Sequence, residues 1–289
     1  MPELPEVETV RSGLAKLLPG RAIADVEFDW PKSFPNAIND VEQFLIGSKV
    51  TSVHRRAKVL LIELSTNYTI VIHLKMTGQL VFVGQERFGA GHPNDSLINE
   101  LPDKSTRVTF RFIDGTKLYF NDQRKFGWVR LMPTVEVQNL AFFQKVGPEP
   151  LSDDFTWQTL YSRMQRRKNS NIKSVLLDQT ILAGVGNIYA DESLWGAKIH
   201  PTTLVKNLKQ GQVKLLFTEL QFVLQLAIDK GGSSNHTYVN AEGKRGSYMD
   251  FARVFRREKL PCPRCKDVIV KTKVAGRGTH TCPTCQKIK

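Results

Sequence analysis

The sequence feature that most constrains the fold of this chain is a pair of Cys-x2-Cys motifs near its C-terminal end. Cys262 and Cys265 form the first motif, Cys282 and Cys285 form the second, and sixteen residues separate them. Four thiolates at this spacing can surround one tetrahedral Zn2+ ion. Two disulfides or two redox motifs are the alternatives, and both are uncommon without a secretory signal. We predict one structural Zn2+ ion, because four cysteine ligands leave no open coordination position.

The residues between the two motifs predict a β-hairpin. Residues 268–274 and 279–281 are suited to strands, and Gly276 and Gly278 mark the turn. Arg277 lies between these glycines, where its side chain is free to reach a phosphate. Residues 251–289 contain eleven Lys and Arg against two acids, and the whole chain has a net charge of +13. This charge predicts a polyanionic partner, with a merely solvated basic surface as the alternative.

The start of the chain offers a candidate nucleophile. Residue 2 is a proline, so removal of Met1 would leave a secondary amine at the terminus. An α-amino group has a pKa of about 7.7 to 8.0, so part of it is neutral at cellular pH. A neutral secondary amine condenses with an aldehyde to form an iminium, and Glu3 is a candidate proton donor beside Pro2. The alternative is an ordinary start in which Pro5 simply occupies an early helix position.

Hydrophobic periodicity predicts a first helix followed by a β-rich region. Apolar residues recur at helical spacing from Val7 to Leu18, which predicts a packed helix that holds the terminal amine in place. Alternating β-branched and aromatic runs then predict an antiparallel sandwich or barrel. These runs lie at residues 23–28, 49–54, 59–64, 68–73, 79–83, 108–112 and 117–120. Residues 87–105 contain several glycines and prolines and predict a long loop.

A change of pattern after residue 131 predicts a domain boundary. Strand alternation stops there, and Gly147-Pro148-Glu149-Pro150 is too rich in breakers to continue a regular element. Helical periodicity follows at residues 155–167, 172–181, 188–197 and 212–229. The fold class predicted for the chain is therefore α+β.

A glycine turn before the third of these helices is a candidate anion-binding feature. Gly184 and Gly186 let the backbone approach a partner closely, and the helix start that follows offers N–H groups to an anion. Asn187 would add a side-chain donor. The alternative is a tight connection between two helices.

Six motifs, in their order along the chain, resemble those of bacterial formamidopyrimidine-DNA glycosylase. They are Pro2-Glu3-Leu4-Pro5-Glu6-Val7-Glu8, Arg55-Arg56-Ala57-Lys58, His73-Leu74-Lys75-Met76-Thr77-Gly78, Asp122-Gln123-Arg124-Lys125-Phe126-Gly127, the turn from Gly184 to Tyr189, and the terminal zinc ribbon. The resemblance extends over essentially the whole chain. Leu4 and Val7 resemble this enzyme more than its oxidised-pyrimidine relative, endonuclease VIII.

The resemblance implies a base-excision repair enzyme that acts on 8-oxoguanine and ring-opened purines in duplex DNA. It implies that Pro2 attacks C1′ of the damaged nucleotide and forms an iminium, and that Glu3 gives a proton to the sugar ring. β-Elimination and δ-elimination then cleave both flanking phosphodiesters. By the same resemblance, Lys58 is the proton donor for β-elimination and Arg277 is linked to δ-elimination.

The resemblance also implies which residues contact DNA. A damaged base must leave the stack to be reached, and Met76, Arg124 and Phe126 match the family residues that fill the gap. Two of them are apolar wedges, and the guanidinium can bond the orphaned cytosine. Core packing is the alternative for Met76 and Phe126. Phosphate contacts are implied for Arg167, Lys173 and Asn187.

The same resemblance implies four parts of the chain. They are a catalytic N-terminal β-sandwich domain with a leading helix (1–132), a linker (133–152), a helix-two-turn-helix DNA-binding domain (153–233), and a lesion-covering loop with a zinc finger that contains the β-hairpin (234–289). Ser105 stands where many relatives have a DNA-contacting histidine, and residues 233–251 differ from the common loop pattern. These departures bear on lesion preference rather than on reaction type.

The expected partner is damaged double-stranded DNA, bound by a monomer in the bacterial cytoplasm. No stretch resembles a signal peptide or a membrane span, so we expect no membrane association. One alternative is a glycosylase of the endonuclease VIII type that prefers oxidised pyrimidines. Another is a non-catalytic zinc-ribbon protein that binds damaged DNA, although such a protein would not need both Pro2 and Glu3.

Overall fold

The computed structural model describes residues 1–233 and 248–288 of the 289-residue chain. These residues divide into two compact units. The first unit holds residues 1–144 and 230–233, and the second holds residues 145–229 and 248–288. In the part of the chain that is described, no helix has both the length and the apolar character needed to cross a membrane.

The first unit is a β-sandwich with a leading helix, α1 (Leu4–Leu17). The antiparallel five-stranded sheet has the order β1 (Ile23–Phe28), β7 (Thr106–Phe112), β8 (Lys117–Asp122), β5 (Gly78–Val83) and β6 (Arg87–Gly91). The antiparallel four-stranded sheet has the order β2 (Val50–Arg56), β3 (Val59–Leu64), β4 (Tyr68–His73) and β9 (Trp128–Pro133). Buried residues of α1 and of both sheets form one hydrophobic core, which confirms the predicted sandwich.

Short helices lie between the strands of the first unit and after its last strand. α2 (Ile38–Asp40) continues into a π-helical turn at Val41–Leu45, and α3 (Ala141–Lys145) follows the last strand. Single 3-10 turns lie at Pro31–Ser33, Asp95–Leu97 and Thr134–Asn139.

The prediction of one long loop over residues 87–105 is wrong in its first part, because Arg87–Gly91 forms strand β6 beside β5. The glycines of this strand serve close packing. A Cβ on Gly89 would lie 3.2 Å from a methyl carbon of Leu97, and a Cβ on Gly91 would lie 2.5 Å from the carbonyl oxygen of Gly78. Glycine in a strand can thus mark a close approach of neighbouring groups as well as a turn.

The second unit is helical and ends in a β-hairpin. Its helices are α4 (Trp157–Gln165), α5 (Ile172–Leu177), α6 (Asn187–Gly196) and α7 (Gln210–Asp229), with 3-10 turns at Val205–Asn207 and Tyr248–Phe251. The hairpin consists of β10 (Val270–Val274) and β11 (Arg277–Thr281). The helix predicted at 172–181 ends early, because Asp178 has extended backbone and its carboxylate accepts the N–H of Thr180 at 2.9 Å. The two units together confirm the predicted α+β class.

Candidate functional site

The N-terminal residues occupy a fixed, buried place in the first unit. Glu3 is the N-cap of α1, and it forms a capping box with Glu6, whose carboxylate accepts the Glu3 N–H at 2.7 Å. The other carboxylate oxygen of Glu6 accepts the N–H of Ser233 at 2.7 Å. Pro2 and Glu3 are buried, whereas Met1 is 52% exposed. Removal of Met1 would therefore uncover the nitrogen of Pro2 on a helix start that is tied down rather than frayed.

A tight turn between β2 and β3 positions Lys58. Ala57 in this turn has a left-handed backbone with φ 54°, and its carbonyl accepts an N–H of the Arg55 guanidinium at 2.8 Å. Arg55 Nε also lies 2.9 Å from a carboxylate oxygen of Glu8 in α1. Lys58 itself is buried. The Glu8–Arg55 pair therefore ties the turn that carries Lys58 to the helix that follows the candidate nucleophile.

His73, at the end of β4, is an uncharged histidine. Its Nδ1 accepts the backbone N–H of Lys75 at 3.0 Å, so the ring proton belongs on Nε2. Its ring contacts those of Trp128 and Phe142, with centroid distances of 5.9 and 6.3 Å. Burial, and then the charges of Lys75 and Lys58, lower the pKa of His73 to about 3. The imidazole can therefore donate a hydrogen bond at neutral pH but is not a cation.

The lowered pKa of His73 predicts that acid destabilises the first unit. An unfolded histidine titrates near 6.5. Between about pH 6.5 and about pH 3, the unfolded chain therefore binds a proton at His73 that the folded chain does not bind. The stability contributed by His73 is complete above about pH 6.5 and falls as pH decreases, by at most about 1.4 kcal/mol per pH unit. Between pH 7 and pH 5, the free energy of unfolding measured in urea should decrease less for His73→Gln than for the wild type.

The matched control for this experiment is His54→Gln, because the His54 side chain is exposed on β2. It should keep the wild-type dependence of stability on pH. If His73→Gln also kept that dependence, His73 would not be the group that takes up the proton on unfolding.

Met76, Arg124 and Phe126 form one exposed cluster, called here the trio. Met76 is 38% exposed and Phe126 is 51% exposed, so neither side chain belongs to the core. Arg124 Nη1 lies 3.1 Å from the Met76 sulfur, and Arg124 Cζ lies 4.6 Å from the centroid of the Phe126 ring. Two loops of the first unit thus present two apolar surfaces and a guanidinium at one place.

The glycine turn of the second unit presents Asn187 at the first position of α6. Gly186 is the N-cap, and Gly184 has φ +77°, which favours glycine. The Asn187 side-chain amide donates to the carbonyl of Gly278 at 3.0 Å, in the hairpin. Arg277, the residue before Gly278, is exposed. The structure therefore brings Asn187 beside the strand that carries Arg277.

Lys173 lies inside the second unit. This buried position does not fit the phosphate contact that the resemblance implies. Its side chain is fully buried, and its Nζ donates to Asp191 at 2.6 Å and to the Thr279 hydroxyl at 2.7 Å. An ammonium held this way joins α5, α6 and the hairpin and is not presented to a ligand. Arg167 is different, because its side chain is 58% exposed, although its Nη2 lies 3.5 Å from a carboxylate oxygen of Asp178.

The four cysteines lie together, and their geometry fits a tetrahedral metal ion. Their sulfur atoms are all within 4.8 Å of one another. Cys262 and Cys285 are separated by 3.9 Å and Cys265 and Cys282 by 3.4 Å, close to the separation of about 3.8 Å that four bonds of about 2.3 Å to one Zn2+ require. All four thiols are free, so the two-disulfide alternative does not apply to this structure.

The thiols of this cluster differ in acidity. Burial raises the pKa of Cys282 to about 12. Burial acts in the same direction on Cys262, but hydrogen bonds, the largest from the backbone N–H groups of Cys265 and Arg264, together outweigh it and lower the pKa of Cys262 to about 6. Cysteine ligates metal ions as the thiolate, so binding of a divalent cation releases protons from the ligands.

The sequence analysis assigns no role to Glu6 or Asp191, two buried acids that hold these features in place. Glu6 carries a signal that could have identified it, because an acid three residues after a capping residue is typical of a capping box. Asp191 carries no comparable signal, because its partners are distant in the chain: Lys173 on one oxygen, and the backbone N–H of His280 on the other at 2.9 Å.

Comparison with known families divides the chain into three matched regions. Residues 1–129 match the formamidopyrimidine-DNA glycosylase N-terminal domain, and residues 146–239 match the formamidopyrimidine-DNA glycosylase H2TH domain. Residues 259–288 match the zinc finger found in FPG and IleRS. A formamidopyrimidine-DNA glycosylase of Pelotomaculum thermopropionicum is 40% identical over 291 residues, which cover 100% of both proteins.

Solved structures with the same fold contain DNA. A complex of Lactococcus lactis Fpg with abasic-site DNA has a TM-score of 0.86 and 35% sequence identity, and the alignment covers 99% of this chain and 100% of the other. A complex of wild-type L. lactis Fpg with DNA containing N7-benzyl-Fapy-dG has a TM-score of 0.86 and 34% identity over the same shares of the two chains.

Proposed function

The chain belongs to the formamidopyrimidine-DNA glycosylase family, and from that premise we propose that it excises oxidised purines from duplex DNA and then cleaves the strand at the abasic site. The substrates proposed are 8-oxoguanine and formamidopyrimidines. The observation that supports this most is at the start of the chain, where a proline in position 2 is buried on a capped helix and is preceded by one exposed methionine.

The proposed first step joins Pro2 to the damaged nucleotide. Once Met1 is removed, the nitrogen of Pro2 attacks C1′ and gives up its own proton, the bond from C1′ to the base breaks, and the base leaves with the electrons of that bond and takes up a proton. Glu3 gives a proton to O4′, the C1′–O4′ bond opens, and C1′ remains joined to Pro2 as an iminium. The capped helix start contributes by holding both residues in one orientation.

The iminium then drives strand cleavage. It draws electrons from C2′, so a proton leaves C2′ and the C3′–O bond breaks in β-elimination; loss of the C4′ proton breaks the C5′–O bond in δ-elimination. Water hydrolyses the iminium and regenerates the Pro2 amine. Lys58 is proposed as the proton donor for β-elimination, because its turn is tied to α1 through Arg55. Arg277, exposed on the hairpin, is proposed to assist δ-elimination.

The proposed DNA contacts follow from exposure. The trio would fill the space that the everted base leaves, with Arg124 bonding the orphaned cytosine. Arg167 and Asn187 would contact phosphates, whereas buried Lys173 would act only by holding the hairpin. The Zn2+ ion, held by the four cysteines, would stabilise the hairpin that carries Arg277. We propose that the chain binds DNA as a monomer.

The test of this proposal is reductive trapping on a defined lesion. The purified protein, incubated with a duplex that carries one 8-oxoguanine opposite cytosine, should form a covalent adduct in sodium borohydride. Without borohydride it should release the base and leave a gap with a phosphate at each end. Binding of this duplex without an adduct or a strand break would support the non-catalytic alternative.

A second duplex distinguishes the enzymatic alternatives. It carries 5,6-dihydrothymine opposite adenine in the same sequence, and the ratio of the two kcat/KM values ranks oxidised purines against oxidised pyrimidines. A ratio that favours 8-oxoguanine supports the proposed substrate class. A ratio that favours dihydrothymine would assign the chain the specificity of the endonuclease VIII type.

A further inference from the structure

One buried carboxylate fixes both loops that carry the trio. Asp122, the last residue of β8, is 0% exposed. Its Oδ2 accepts the backbone N–H groups of Phe126 at 2.8 Å and of Gly127 at 2.7 Å. Its Oδ1 accepts the backbone N–H of Arg124 at 3.2 Å and the hydroxyl of Thr77. Four donors from two loops therefore converge on one side chain.

The Thr77 hydroxyl completes the link between the loops. It accepts the backbone N–H of Arg124 at 3.1 Å while it donates to Asp122. Thr77 is the residue after Met76, and it is buried although Met76 is exposed. The position of Met76 is therefore coupled through Thr77 to the same carboxylate that holds Arg124 and Phe126.

The surroundings leave Asp122 little freedom to move. Its own backbone N–H donates to the Ser105 carbonyl at 2.7 Å, and its carbonyl accepts from Arg107 Nε at 3.0 Å. A Cβ on Gly127 would lie 2.6 Å from the Phe120 ring and 3.1 Å from Asp122 Oδ2. Gly127 can therefore pack closely against the carboxylate only because glycine has no side chain. These contacts hold the loop of Arg124 and Phe126 against Asp122.

From this network we infer that Asp122 is the positioning residue of the trio. It acts on base eversion and on recognition of the opposite base, through Met76, Arg124 and Phe126, and it leaves the Pro2 chemistry untouched. The inference rests on the proposed function, in which the trio enters the gap in the duplex. A pre-formed trio lowers the entropy that three exposed side chains would otherwise lose on insertion.

Asp122→Asn is the sharpest probe, because it keeps the shape of the side chain and replaces one acceptor by an NH2 group. In either orientation of the amide, the NH2 group faces donors: the N–H groups of Phe126 and Gly127, or the Thr77 hydroxyl and the Arg124 N–H. Donors buried without acceptors destabilise the arrangement, so the loop should move while the sheet persists.

The experiment compares two substrates. The first is a duplex with 8-oxoguanine opposite cytosine, where a stack must be opened and a partner base recognised. The second is a single-stranded oligonucleotide with an abasic site, which has neither requirement. Asp122→Asn should lower kcat/KM on the duplex by about 10- to 100-fold. It should change strand cleavage on the single strand by less than about threefold and should reduce the preference for cytosine over adenine opposite the lesion.

Three further variants secure the interpretation. Thr77→Val removes the bridging hydroxyl, and it should also lose more activity on the duplex than on the single strand, though by a smaller factor than Asp122→Asn. It replaces Asp122→Asn in the test if that variant does not fold. Thr77→Ser restores the hydroxyl and should behave as the wild type. Asp114→Asn is the matched control, because exposed Asp114 also accepts a backbone N–H and a hydroxyl, both from Thr116, but in the turn between β7 and β8.

If Asp122→Asn lost activity by the same factor on the duplex and on the single strand, the inference would be overturned, since the substitution would then have damaged the enzyme as a whole. Full activity of Asp122→Asn on the duplex would overturn it as well. Failure of the wild-type protein on both substrates is a separate result, because it would remove the proposed function itself and not only the role of Asp122.

Discussion

Insertion of a lysine between Met1 and Pro2 is expected to abolish both base excision and the borohydride-trapped adduct. The nitrogen of Pro2 would then remain in an amide, which has no basic lone pair to attack C1′ and cannot form an iminium. Loss of a covalent nucleophile reduces turnover by about a thousandfold or more. The measurement is single-turnover excision of 8-oxoguanine, together with the intact mass of the protein, which shows that the added residues are retained.

The structure allows this insertion to be tested without unfolding α1. Met1 is 52% exposed, so an added residue can extend into solvent while the capping box of Glu3 and Glu6 persists. Affinity for the lesion duplex and the unfolding temperature should stay near the wild-type values. The same lysine added after Lys289 is the control and should leave excision intact.

A trapped adduct from the extended protein would contradict the role of Pro2. Peptide mapping of that adduct would then identify the amine that formed it. Lys58 is the nearest alternative in chemistry, because it carries a primary amine and lies on a turn tied to α1. An adduct mapped to Lys58 would keep the reaction class and change the nucleophile.

The features that sequence reasoning predicts well are those encoded by neighbouring residues. The cysteine spacing predicts a cluster that the structure assembles within 4.8 Å. The first helix is recognisable from its apolar repeat, because Val7, Val10 and Leu14 share one buried face. In both cases the interaction that decides the structure is either local or involves residues of an unmistakable type.

The features that sequence reasoning misses depend on contacts between distant residues. Burial of Lys173 follows from Asp191 and Thr279, which are 18 and 106 residues away. A lysine near other basic residues looks the same in a sequence whether it faces solvent or an internal carboxylate. The link from Asp122 to the loop of Met76 is hidden in the same way, because Thr77 is 45 residues away.

The glycines of β6 show a third limit. Several glycines within a few residues predict a loop, since glycine loses the most conformational freedom on folding. In β6 the neighbouring strand and Leu97 leave no room for a side chain at Gly89 or Gly91, and Gly91 also has φ +123°, a backbone that favours glycine. Sequence alone does not distinguish a glycine chosen for its backbone freedom from one chosen for lack of space.

Cys282→Ser is expected to remove the metal and to cost the protein most of its affinity for DNA. The residues around the cysteines have only a small core of their own, formed by Trp195, Val254, Ile269 and the cysteines. A module of this size depends on its metal, since structural Zn2+ contributes about 10 to 16 kcal/mol of binding free energy to comparable folds. The hairpin docks on α5 and α6 through Lys173 and Asp191, and this docking requires a folded hairpin.

Three measurements distinguish local unfolding of the zinc finger from unfolding of the whole protein. Metal analysis should give one Zn2+ per wild-type chain and none for Cys282→Ser, and fluorescence anisotropy should show DNA affinity reduced by about a hundredfold or more. Limited proteolysis should cut Cys282→Ser first within residues 259–288, because the helices and the β-sandwich have separate cores. Thr284→Ser, within the same motif, keeps the hydroxyl that donates to Asp267 at 2.6 Å and is the matched control. Full zinc content with wild-type affinity in Cys282→Ser would show that the tetrad is not the metal site.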